Sequence, residues 1–187
     1  MTTTSSIAVA SPASGGPRFA AAIAAGLGFR AATDDDLPFL RDLYGSTRAA
    51  ELAPLSWSEA EKSAFVSMQF SAQHAHYTRH YPAAQRLIIL HAGAPIGRLY
   101  VDRWEREHRV VDIALLPEHC GKGFGSAVLG DLIAEAASLA KCVTVHVEKY
   151  NPAMRLYGRL GFASVEDKGV YDLMRWSPRM EVSTAFR

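Results

Sequence analysis

Cysteine is scarce in this chain of 187 residues, with only Cys120 and Cys142. That scarcity excludes a disulfide framework and points to a reducing setting, so a cytoplasmic location is expected. An excess of one charge is also missing, since 20 basic residues stand against 19 acidic ones for a net charge of +1. Such a balance gives no reason to expect nucleic acid or anionic lipid as a partner. No apolar run is long enough to span a bilayer, so no membrane association is expected either. Charge is absent before Arg18, where Ala, Ser, Thr and Gly dominate. Residues 1–26 therefore read as a flexible leader, without the basic start and long apolar centre of a secretory signal.

What is present suits one core, because 49% of the residues are hydrophobic and the length fits a single domain. The richest segment is His119-Cys120-Gly121-Lys122-Gly123-Phe124-Gly125. Before it, residues 109–116 are rich in Val, Ile and Leu and read as a strand, which Pro117 stops. After it, Val128, Leu129, Leu132, Ile133, Ala136, Leu139 and Ala140 recur at helical spacing. Three alternate glycines between strand and helix allow a tight turn whose free amides, added to the helix dipole, suit a pyrophosphate. A Walker loop is excluded because no hydroxyl residue follows Lys122, and a Rossmann fingerprint because the turn comes late in the chain.

A second segment, 151–162, follows the β-branched run 142–147. Asn151 suits an N-cap and Pro152 a first helical residue, Ala153, Leu156, Tyr157 and Leu160 share a face, and Gly161 ends the helix. Elsewhere, residues 29–32 read as a strand. Thr33 caps a helix through Asp34, Asp35 and Asp36, and a longer helix covers 58–80. Residues 87–91 and 98–103 form a hairpin around Ala92-Gly93-Ala94-Pro95, and short strands lie near 164–166 and 169–176.

On the two segments together, the chain resembles the GNAT superfamily of acyl-CoA N-acyltransferases. Cys120 to Gly125 match its turn Gln/Arg-x-x-Gly-x-Gly/Ala, and 151–162 its element Asn-x-x-Ala-x-x-x-Tyr-x-x-x-Gly-Phe. The resemblance is sharpest over 110–162 and extends in element order over 29–176. It implies an α/β (α+β) fold over 27–176, with a central mixed, twisted sheet of about six or seven strands and helices on both faces. Residues 177–187 remain as a C-terminal tail. The implied reaction is transfer of an acetyl group from acetyl-CoA, as co-substrate and without a metal, directly to a primary amine.

The same resemblance places acetyl-CoA against Cys120, Gly121, Lys122, Gly123, Phe124, Gly125 and Ser126, against the backbone of Ala114 and Leu115, and against Asn151. Two positions depart from the pattern. Cys120 replaces the turn's Gln or Arg, and Tyr150 takes the place of the usual asparagine, which leaves Asn151 open between a pantetheine contact and a plain cap. Tyr157 is the candidate donor to the leaving thiolate, because a phenol on that helix faces the sulfur by resemblance; packing on the helix's apolar face is the alternative.

The general base stays open among Asp112, His146, Glu107, His108 and a water chain. Asp112 stands out as a carboxylate within an apolar strand, whereas Glu107 and His108 fall in the polar turn 104–108 and read as solvated. His74, His76, Tyr77, His80 and Tyr81 are read as pocket lining or a solvated helix face, and the hairpin Tyr100-Val101-Asp102-Arg103-Trp104 either as acceptor contacts, with Asp102 attracting an ammonium, or as ordinary sheet packing. His76 and His80 have the spacing of a metal pair but lack a third ligand. Small amines, amino acids, an aminoglycoside-like acceptor, a peptide N-terminus and a lysine side chain all remain open, as does a homodimer. Two other classes stay alive: a catalytically inactive CoA-binding regulatory module, and an interaction subunit that pairs through an edge strand.

Overall fold

The computed structural model describes residues 19–178. Seven strands form one mixed sheet, β1 (Leu27–Ala31), β2 (Gln85–His91), β3 (Ala94–Arg103), β4 (Glu107–Leu115), β5 (Cys142–Glu148), β6 (Ala163–Lys168) and β7 (Tyr171–Trp176). Their order is β1-β2-β3-β4-β5-β7-β6. Only β4 and β5 run parallel, joined by α4 (Phe124–Ser138); the other neighbours are antiparallel. Among the described residues no helix is long and apolar enough to cross a membrane.

Alternation along β2 shows how the layers are built. Leu87 and Ile89 join the larger core under α1 (Ala20–Ala24), α4 and α5 (Met154–Arg159), whereas Ile88 packs with Leu40, Tyr44 and Phe70 of α2 (Leu37–Leu52) and α3 (Glu59–His80). A strand buried on both faces needs apolar residues at successive positions, and the run Leu87-Ile88-Ile89-Leu90 supplies them.

Boundaries follow local chemistry. Ser58 accepts from the Glu61 amide while Glu61 accepts from the Ser58 amide, so a capping box opens α3 at the expected place. Asp36 closes the same kind of box with Thr33 and is gripped by Arg30 at 2.6 and 2.7 Å. The hairpin turn is tighter than expected. Ala92 and Gly93 alone carry positive φ, and Ala94 and Pro95 already pair with His91 and Leu90.

The last residues of the expected leader are structured. Residues 19–26 belong to the fold: Phe19 stacks on Phe29 at 4.2 Å, Ala22 is fully buried, and Asp131 of α4 accepts from the amides of Ala21 and Ala22. An alanine-rich stretch looks structureless until a distant carboxylate caps it. Residues 1–18 of the expected leader, and the expected tail beyond Pro178, lie outside the described residues.

Candidate active site

The strands part at the middle of the sheet. Parallel pairing of β4 with β5 ends at Val110 opposite Val145, and a bulge follows on β4, because Val110 faces Val101 while Asp112 faces Tyr100. Beyond it β4 keeps only its β3 partner, and β5 continues alongside β7. The Leu116 amide donates to Ile96 across to β3 at 2.8 Å, so by alternation the Leu115 amide turns toward the gap and that of Ala114 toward β3. Of the two expected backbone donors, Leu115 is the one that faces open space.

At the end of β4 the chain makes a short 3-10 turn, Pro117–His119, and enters the glycine segment. Gly121 and Gly123 have φ of +74° and +85°, and a Cβ on either would meet nothing within 4 Å. Their glycines answer to backbone conformation beside open space. Gly125 has another reason: its Cβ would lie 3.3 Å from Leu156, so it lets α4 and α5 approach. Gly123 is the N-cap of α4 and offers no side-chain cap, and the first helical bond runs from Ala127 to Gly123. The amides of Phe124, Gly125 and Ser126 therefore point out of the helix end without intrahelical partners. Lys122 is exposed beside them. Cys120 is exposed too, with its sulfur 3.5 Å from the Leu116 carbonyl, and burial followed by the Glu118 charge pushes its thiol up. It stays a neutral thiol.

On the opposite wall, α5 begins later than expected. Asn151 and Pro152 form a turn in which Asn151 Oδ1 accepts from the Ala153 amide at 2.8 Å, and the helix starts at Met154. The Asn151 side chain is thus engaged in capping the turn, and Tyr150 is 98% exposed. Tyr157 is 4% exposed, packed edge-on against Phe162 with ring centroids 5.3 Å apart. Among the described residues nothing is hydrogen-bonded to its hydroxyl, and that oxygen is not sealed from solvent. Burial first, and the Asp112 charge second, push the phenol well above its ordinary value, so it keeps its proton.

Asp112 projects toward α3. Arg98 and Tyr77 both donate to its Oδ2, at 2.8 and 2.9 Å, and Arg98 also donates to Gln73. Arg98 is 3% exposed, so this is a buried ion pair. Burial first, then Asp112, also pushes the Tyr77 phenol up. His146 is exposed on β5, with Nδ1 3.1 Å from Arg109 Nη1. An arginine can only donate, so Nδ1 accepts and the neutral ring carries its proton on Nε2. Burial and then the Arg109 charge hold the imidazole below its ordinary value.

Two of the other base candidates are not solvated as expected. His108 is fully buried, 3.6 Å from Glu135, and Glu107 is held by Arg109 at 2.9 Å and Thr144 at 2.8 Å. Both lie in β4, which starts two residues earlier than the strand read from the sequence.

Between α2, α3 and the parted strands lies a cleft of about 600 Å³. Its wall includes Tyr44, His76, Tyr77, Tyr81, Arg109 and His146. His76, Tyr77 and Tyr81 are thus pocket lining; Asp102 is buried within β3 and is no part of the wall. Sequence reading missed Arg98, Gln73 and Arg109, none of which belongs to a motif.

A family model described as acetyltransferase (GNAT) family matches residues 49–162. No curated protein matches the sequence. Among solved structures, the chain is similar to PaiA N-acetyltransferase from Thermoplasma acidophilum in complex with coenzyme A. That likeness has 16% identity and a TM-score of 0.61, over 81% of this chain and 98% of that one. It is similar as well to yncA from Salmonella typhimurium with its cofactor acetyl-CoA, at 19% identity and a TM-score of 0.52 over 84% and 97%. A third similar structure is the ribosomal-protein-S18-alanine N-acetyltransferase from Escherichia coli, at 19% and 0.53 over 86% and 99%. At such identities the likeness speaks for the fold.

Proposed function

Because the chain belongs to the acetyltransferase (GNAT) family, we propose that it transfers the acetyl group of acetyl-CoA directly to a primary amine held in the cleft between α2, α3 and the parted strands. The observation that carries this reading is Tyr157: a buried ring whose protonated hydroxyl has no hydrogen-bond partner among the described residues, set beside two strands that separate. The ring is buried but its hydroxyl reaches solvent, so the proton is held in place and still free to pass to a leaving group.

Open space at Gly121 and Gly123 and the free amides that open α4 fit a pyrophosphate. Acetyl-CoA, when bound, supplies the activated acetyl carbonyl. The rest is the work of this chain. Leu115's amide, turned into the gap, stabilises charge that develops on the carbonyl oxygen. Asp112 adjoins the cleft wall through Tyr77, and with Oδ2 taken by Arg98 and Tyr77 it keeps Oδ1 to orient an ammonium and accept its proton. The neutral nitrogen attacks the carbonyl carbon, the carbon–sulfur bond breaks, Tyr157 gives its proton to the departing sulfur, and the proton that the nitrogen sheds on becoming the amide returns through solvent to restore the phenol. His146 is assigned to binding, since its one lone pair is occupied by Arg109.

The test is thiol release from acetyl-CoA across a mixed amine library, with wild type beside Tyr157→Phe. The expected result is turnover on one amine class, with kcat about 100-fold lower in the variant and coenzyme A affinity unchanged. Equal kcat in both would return Tyr157 to packing, and binding without any turnover would favour a regulatory module.

A further inference from the structure

We infer that the acceptor carries a carboxylate at the end remote from its amine, and that Arg109 and His146 hold it. This deepens the acetyl-transfer reading and rests on it for the position of the amine.

Arg109 is 8% exposed and yet forms part of the cleft wall. Of its five N–H groups, one reaches Glu107 at 2.9 Å and one reaches His146 Nδ1 at 3.1 Å, while Nε is sealed without a partner. The guanidinium plane is fixed over Trp104, 5.2 Å from the ring centroid, and Trp104 in turn stacks on Tyr81. A planar donor held this firmly, with N–H groups to spare, matches a carboxylate. His146 adds a second donor, because its Nε2 carries the proton and the ring is exposed.

The charge of the wall agrees. Arg48, Arg109 and Lys168 line the cleft with one acid in the wall itself, Glu148, while Glu51 and Glu107 pair with Arg48 and Arg109 from outside it. Glu148 is itself engaged by Arg48 at 3.2 Å and by the Tyr171 hydroxyl, and Lys168 meets Glu166 outside the wall.

Spacing sets the length of the acceptor. Three residues apart on a regular strand, Arg109 and Asp112 would face opposite sides of the sheet; the bulge after Val110 brings both to the α3 side. Their Cα atoms are then roughly 10 Å apart. An amine at Asp112 and a carboxylate at Arg109 require several methylenes between them, lying along Val110 and Val111, which also line the cleft.

The test is calorimetric titration of the coenzyme A-loaded protein with ω-amino acids of graded chain length, each beside the alkylamine of equal length. ω-Amino acids of intermediate length are expected to bind at least about tenfold more tightly than their alkylamines. Arg109→Gln should erase that advantage. His146→Gln, at an exposed position, should reduce it in a protein whose folding is not in question. Equal binding of the two series to wild type, or an advantage that survives both variants, would overturn the inference. Because the readout is binding, selective capture of an ω-amino acid that is never acetylated would support the carboxylate site and count against acetyl transfer. Acetylation of alkylamines without any preference would do the reverse.

Discussion

Asp112 shows what a single residue tells in sequence and what it does not. A carboxylate between Val111 and Ile113 is conspicuous as an expensive thing to bury, but the partners that make it tolerable, Arg98 and Tyr77, lie 14 and 35 positions away. The same limit applied to His146, whose tautomer is set by Arg109 at a separation of 37 positions. Removing one member of a buried pair is far costlier than the pair is worth, because the other charge stays behind. With Arg98 at 3% exposure and its Nε already sealed without a partner, Asp112→Asn should cost about 3–5 kcal/mol in a urea melt, quite apart from any loss of activity. A cost below about 1 kcal/mol would mean that solvent reaches the guanidinium after all.

At the scale of elements, helix ends were legible wherever the residue suited its backbone. Gly161 has φ of +87°, with the Phe162 amide bonded to Tyr157 and the Gly161 amide to Gly158, and the Tyr157–Phe162 ring contact completes the motif. The end of α4 has the same pattern of bonds, Lys141 to Ala136 and Ala140 to Ala137, but Ala140 occupies the left-handed position at φ +52°. Nothing in an alanine announces such a turn, which is why the helical pattern read from sequence ran on through Ala140. Ala140→Gly should therefore stabilise the protein by about 0.5–1 kcal/mol, the strain relieved exceeding the added freedom of the unfolded chain. Equilibrium unfolding of the variant checks the sign. A lower stability would show that the alanine methyl packs well enough to outweigh its backbone strain.

For the molecule as a whole, the glycine turn and α5 were readable because each depends on residues close in sequence. The cleft was not, since its lining is drawn from α2, α3, β4, β5 and the β6–β7 strands, which lie far apart in sequence. The α4–α5 side of the sheet, with its open amides and parted strands, is the coenzyme site we propose. A ligand that binds only the folded state stabilises it by mass action, about 2.7 kcal/mol at 100 times its Kd. For a domain of this size coenzyme A at that excess should raise Tm by roughly 5–10 °C. Gly123→Glu places a charged side chain in the space that a Cβ finds empty, on a backbone already left-handed. Its Tm without ligand should fall and its shift with coenzyme A should vanish, whereas Tyr157→Phe should keep the full shift. A shift that survived in Gly123→Glu would put the coenzyme elsewhere and reduce the glycine turn to a device for joining β4 to α4.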